Sequence, residues 1–269
     1  MVCVSQLPLI NGDWLAKLKQ SLQQAPVKPR KTLFIGAAQI GSIEKDRAVL
    51  LQEAGFLRAG EHGVYLDEKR LDAQLADIAN WLAEHDMADQ WRNELLSVTD
   101  ESGKVYAAVE RAAARPLGIR TLAVHLVGRT VDGDFWLQQR ASHKSVDPNK
   151  LDTLAGGLVS AGESLAVALE RETQEEAGLI LKDLPETSEN GQFSVCQPVN
   201  PEVEGYMVEN GFWYERQIPN HMVPVNQDGE VSGFVKLSPQ CLLEQMYEGR
   251  VASIACLIFA HLFWADVRK

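Results

Sequence analysis

The stretch GGLVSAGESLAVALERETQEEAGL at residues 156–179 holds the densest set of chemistry-bearing groups in the chain. Glu172, Glu175 and Glu176 follow the i, i+3, i+4 spacing that puts side chains on one face of a helix. That face continues the ridge of Leu165, Ala168 and Leu169, so three carboxylates stand where an amphipathic helix buries apolar groups. Like charges crowded at a partly buried site are costly without cations to compensate them. Hard oxygen donors in such a cluster favour Mg²⁺, or Mn²⁺, over softer-ligand metals. Arg171, four residues before Glu175 and eight after Glu163, is placed to orient a carboxylate. Gly156 and Gly157 permit a backbone conformation in which the Gly156 carbonyl approaches the metal. Such metal ions neutralise nearby anionic oxygens and lower the pKa of a bound water. Taken alone, ERETQEE also reads as a solvated helix with ordinary i,i+4 pairs.

The wider spacing decides between these readings. Five residues separate Gly157 from Glu163, seven more precede Arg171-Glu172, and Glu175-Glu176 and Gly178 follow. This pattern resembles the Nudix box, with its seven fixed letters present: Gly157, Glu163, Arg171, Glu172, Glu175, Glu176 and Gly178. At roughly 7% usage per letter it arises by chance about once in 10⁸ windows, which sets the solvated helix aside. Thr173 stands where that family has an aliphatic residue, and slightly weaker packing is expected there. The resemblance implies that Glu172, Glu175 and Glu176 ligate metal, with any of the three a candidate for polarising the water. It also implies a further carboxylate from a loop outside the box. Asp228-Gly229-Glu230 is the candidate loop, with Glu230 favoured.

A narrower resemblance rests on AVHLVG (123–128), FWLQQRASHK (135–144), KLDTLAGG (150–157) and DGEVSGF (228–234). These segments resemble, in order, the Nudix branch related to thiamine pyrophosphokinase. That likeness implies hydrolysis of thiamine diphosphate or its oxidised analogues to a monophosphate plus phosphate. Arg140, Lys144 and Lys150 precede the box and are candidates for phosphate oxygens, and His125 matches a position of that branch. Trp136, Phe212, Trp213 and Tyr214 are candidates for stacking on a heteroaromatic substrate, although core packing is the plainer role. Other readings are a pyrophosphatase of nucleoside-diphosphate derivatives, a non-catalytic nucleotide-binding regulator, and a metal-dependent isomerase, whose catalytic Cys the sequence does not assign, Cys196 being the only cysteine between the box and the C-terminal helices.

Composition narrows the partners. A net charge of −11 gives nucleic acid no attraction from the average field, and makes local cations necessary for an anionic substrate. Cys3, Cys196, Cys241 and Cys256 form no CxxC pair, so reduced thiols in a cytoplasmic protein are expected. The start lacks a basic segment followed by a long apolar core, and the apolar run 254–264 is too short to span a bilayer.

Two units are expected to position these groups. The first, residues 1–115, reads as a small α+β domain with helices at 13–25, 44–55 and 70–85. A strand entering a glycine-punctuated turn is expected at 32–43, and further strands at 62–67 and 105–110. It carries no visible catalytic constellation, and capping the site, adding to the pocket and mediating a homodimer are its open roles. The second, residues 116–269, has strands at 119–128 and 134–140 around Asp132-Gly133, then a loop at 141–150. The box helix at 163–177 follows, then strands at 191–198, 211–218 and 230–237 and helices at 239–247 and 250–264. The overall class is α+β, and the resemblance implies an α/β/α sandwich with a mixed sheet for the second unit.

Overall fold

A computed structural model describes residues 8–144, 146–199 and 205–266; Cys3 lies outside them. The first helix, α1 (Gly12–Ser21), is capped by the Asn11 side chain, which accepts from the Trp14 amide. Strands β1 (Arg30–Ile35) and β2 (Ala38–Glu44) form a hairpin, so the strand expected to enter a glycine-punctuated turn within 32–43 is followed by a second strand. The reason is local: Gly36 takes φ +56° and reverses the chain, a backbone state that side chains resist. Next come α2 (Lys45–Glu53), β3 (Arg58–Ala59), β4 (Val64–Leu66) and α3 (Leu71–Glu84). The unit closes with β5 (Leu95–Thr99), β6 (Val105–Glu110) and α4 (Arg111–Ala114). β1 to β4 form one four-stranded sheet, while β5 and β6 pair separately. Leu75, Ile78 and Leu82 of α3 are buried in a core shared with both sheets, as their helical spacing predicts.

The second unit begins with β7 (Arg120–Thr130) and β8 (Phe135–Arg140). Then follow β9 (Leu151–Asp152), β10 (Ala155–Leu158), α5 (Leu165–Ala177) and a short 3₁₀ turn. β11 (Glu186–Val199), β12 (Gly205–Ile218), β13 (Val231–Leu237), α6 (Pro239–Tyr247) and α7 (Ser253–Asp266) complete it. The main sheet runs β11-β12-β7-β8-β13, with β10 on β7 and β9 on β8. It is mixed, because β12 runs parallel to β7 while the other pairs are antiparallel. Val124 and Leu126 of β7 face α5, whereas Val127 faces the layer holding α1, α6 and α7. The second unit is thus an α/β/α sandwich. Its two helical layers follow from strands that are apolar on both faces.

Leu18 and Leu22 pack in the core that holds α7, so α1 lies against the last helix. No helix among the described residues is long and apolar enough to cross a membrane.

Candidate active site

The box helix α5 starts where Ser164 accepts the Val167 amide and ends at Gly178, left-handed at φ +64°. Ala168, Leu169, Thr173 and Ala177 are buried on its sheet side. Thr173 is fully enclosed, and its hydroxyl donates to the Leu169 carbonyl at 2.6 Å, so this departure from an aliphatic residue leaves no unsatisfied group. The same face carries Glu172 and Glu176 inward, while Glu175 stays exposed.

Arg171 organises the outer part of the site. Its Nε and one Nη bind both oxygens of Glu163 at 2.9 and 3.0 Å, the bidentate geometry that favours Arg over Lys. The other Nη donates to Glu172 at 2.7 Å and to Glu175 at 3.2 Å. Glu163 also accepts the Ser160 amide, and with Arg171 this holds its carboxyl below the ordinary value. Burial pushes Glu172 up, against the opposing pull of Arg171.

The two glycines answer to packing rather than to dihedral freedom, since neither has positive φ. A Cβ on Gly157 would fall inside the Glu172 carboxylate, and one on Gly156 would come within 2.7 Å of His125 Nδ1. Gly157→Ala is therefore expected to displace Glu172, with a stability loss of about 1–3 kcal/mol. Chemical denaturation checks this; an unchanged midpoint would remove the close-approach account.

Glu176 is 2% exposed, and its Oε2 accepts from Gln138 at 2.9 Å and from the Gly156 amide at 2.8 Å. Burial first, and the Glu172 carboxylate second, push its pKa up to about 8. Its Oε1 lies 3.7 Å from Lys144 Nζ, which also contacts Glu230. Burial works against the Glu230 charge, but Lys144 and then Arg92, at 3.4 Å, outweigh it and hold that carboxyl below the ordinary value.

Glu176, Asp228 and Glu230 place ligand oxygens within 4.8 Å of one another, and all three donors are hard carboxylates. This donor set fits Mg²⁺ or Mn²⁺. The expected trio of Glu172, Glu175 and Glu176 is not brought together this way, because Arg171 draws Glu172 and Glu175 toward itself. Of the three, Glu176 joins the loop carboxylates. Glu230 is where the sequence places it; Asp228, two residues before it, also belongs to the cluster.

Beside this cluster lies a cavity of about 270 Å³ between the two units. Lys144, Glu172 and Glu230 border it, as do Arg140 and His125. Arg140 is anchored to Asp152 at 2.7 Å and to the Val146 carbonyl. His125 is bonded to Thr153 and kept neutral by burial. Lys150 pairs with Asp147 at 2.7 Å and does not line the cavity. The aromatic candidates do not line it either: Trp213 is buried beneath α7, and Trp136 and Tyr214 pack on the opposite core. The opposite wall holds residues that the sequence did not single out: Arg92, Arg111 and Arg115. Their signal is weak, since Arg111 and Arg115 stand at the two ends of α4 while Arg92 stands apart from them in the sequence. The first unit also grips the box loop directly, through Ala161 N to Leu95 O at 2.7 Å and Ser160 Oγ to Glu94 at 3.1 Å.

An α/β/α sandwich with a carboxylate helix set against a glycine strand defines the class of domain. A family model described as NUDIX domain matches residues 119–254, half of the chain, and the chain belongs to the Nudix family. It is similar to Nudix hydrolase 20, chloroplastic, of Arabidopsis thaliana, with 33% identity over 61% of this chain and 44% of that protein. Nudix hydrolase 24, chloroplastic, of the same plant is 34% identical over 53% of this chain and 40% of that protein. The chain therefore spans less than half the length of these relatives. A crystal structure of a Deinococcus radiodurans protein is 25% identical, with a TM-score of 0.46, over 61% of this chain and 97% of that one.

Proposed function

We propose that this chain is a metal-dependent hydrolase of a small-molecule diphosphate. The observation that carries the reading is the Glu176–Asp228–Glu230 cluster bordering a cavity lined by cations. Glu176, Asp228 and Glu230 would hold Mg²⁺ or Mn²⁺, with Glu172 and Glu175 joining through the same helix. The bound ion would neutralise the diphosphate oxygens and lower the pKa of the attacking water. Gly156 and Gln138 fix the Glu176 carboxylate, while Glu163 and Arg171 fix Glu172. Lys144 and Arg140 border the cavity and would meet phosphate oxygens, and residues between Asp89 and Arg115 line its other side. Water adds to one phosphorus and gives up a proton to a nearby carboxylate or to solvent, while the bridging P–O bond breaks and its electron pair leaves with the departing phosphate.

Thiamine diphosphate or its oxidised analogues, giving monophosphate plus phosphate, is the substrate reading that the narrower sequence resemblance supports. A nucleoside-diphosphate derivative would instead yield two monophosphates. The free cysteines Cys196, Cys241 and Cys256 suit a reducing, cytoplasmic setting for either. Product analysis with Mg²⁺ across thiamine diphosphate, its oxidised analogues, ADP-ribose and a dinucleoside polyphosphate tests the reading. Phosphate release from a thiamine compound is the expected result, and two monophosphates from the nucleotides alone would discard the thiamine assignment. No turnover of any of them would count against the hydrolase reading itself.

A further inference from the structure

The cavity extends beyond the carboxylate cluster along β7. Gly156, which anchors Glu176, pairs with His125, whereas Glu209 of β12 pairs with Thr121. These two levels are four residues apart on one strand, ~13 Å at the usual strand rise. That separation suits a ligand with its phosphates at one end and a ring system at the other.

Glu209 is 6% exposed yet lines the cavity. Its Oε2 accepts a single hydrogen bond, from Thr121 Oγ1 at 3.3 Å. Its Oε1 receives none among the described residues, and the residue lines the cavity. Arg115 is paired with Asp89 at 3.7 Å and makes no ion pair with Glu209. A buried carboxylate with one long hydrogen bond, offset otherwise only by the more distant charges of Arg115 and Arg111, is costly for the protein alone. Thr121, Gln197 and Met207 surround it on the cavity floor, offering both polar and apolar contact.

We propose that Glu209 is a specificity-determining residue that takes a cationic or amino-bearing heterocyclic head group of the diphosphate substrate. The proposal rests on the diphosphate reading above, which orients the ligand with its phosphates toward Lys144 and Glu230. A donor or ring cation on the head group would supply the partner that Oε1 lacks. Head groups made only of hydrocarbon would leave the carboxylate buried and unpaired, and would be rejected.

The test is calorimetric binding in metal-free buffer with two probes. Thiamine diphosphate carries a ring cation and an amino group, while isopentenyl diphosphate carries neither. Wild-type protein is expected to prefer thiamine diphosphate by roughly 10- to 100-fold, the span of a charge-assisted hydrogen bond. Glu209→Leu is expected to abolish that preference by weakening thiamine diphosphate alone. Glu209→Gln, which can keep the Thr121 hydrogen bond, guards against misfolding and is expected to lose most of the preference too. Equal binding of the probes by wild type, binding of neither, or an unchanged preference in both variants overturns the proposal. Failure of the hydrolase reading shows up separately, as no phosphate release with Mg²⁺ while the binding preference persists.

Discussion

Replacing Glu176 by Gln is expected to lower turnover at least about 10³-fold while leaving the protein folded. The carboxylate is the helix-borne member of the cluster with Asp228 and Glu230, and an amide cannot replace its charge toward a divalent ion. Its carbonyl oxygen can still accept from Gln138 and Gly156, so the packing of the site survives. The same substitution has a signature in stability. Glu176 titrates near 8 when folded and near 4.5 in its ordinary state, so the folded protein holds an extra proton between these values. Stability of the metal-free protein should be fully present below about pH 4.5 and decline as pH rises through 8, by up to about 5 kcal/mol. Glu176→Gln should lack that decline. Mg²⁺, which needs the ionised carboxylate, should raise the wild-type melting temperature more at pH 8 than at pH 6. Thermal melts across this range, with and without Mg²⁺, check both. Retained turnover in Glu176→Gln, or a parallel pH profile for the two proteins, would remove Glu176 from the metal site.

Arg171→Ala is expected to cost about 3 kcal/mol of stability and at least about 10²-fold in rate. The guanidinium holds Glu163 with two hydrogen bonds and reaches Glu172, Glu175 and the Leu158 carbonyl. Glu172 is 9% exposed, so without Arg171 its charge is buried with no partner. Arg171→Lys should recover little, since one ammonium cannot serve Glu163, Glu172 and a carbonyl in a planar fork. Neutralising the stranded partner should help: Arg171→Ala with Glu172→Gln should be more stable than Arg171→Ala alone. Urea unfolding of the set decides the matter, and a double variant no more stable than the single one would contradict the buried-charge account.

Much of this architecture was legible because its signals are local. Helix α3 appears as predicted because Leu71, Leu75, Ile78 and Leu82 repeat at helical spacing. β6 and α5 likewise match their expected ranges closely. The first seven residues of β11, ETSENGQ, carry no apolar alternation, and that strand starts earlier than the expected 191 because pairing with β12 extends it. Strand β5 went unread, being short and recognisable mainly through its pairing with β6. α1 follows from the helical spacing of Trp14, Leu15, Leu18 and Leu22, but its partner, α7, lies more than two hundred residues away.

The site divides in the same way. Helical periodicity and the spacing from Gly157 to Gly178 determined that Glu172, Glu175 and Glu176 share one helix and that Arg171 and Glu163 accompany them. Tertiary structure decided which carboxylates meet. Arg171 takes up Glu172 and Glu175, while Gln138 and Gly156 turn Glu176 toward Asp228 and Glu230. It also decided that Arg92, Arg111 and Arg115 of the first unit face the cavity, and that Lys150 and the aromatic candidates do not. The physical reason is range: periodicity records which face a residue occupies, whereas convergence of groups from separate elements depends on how those elements pack.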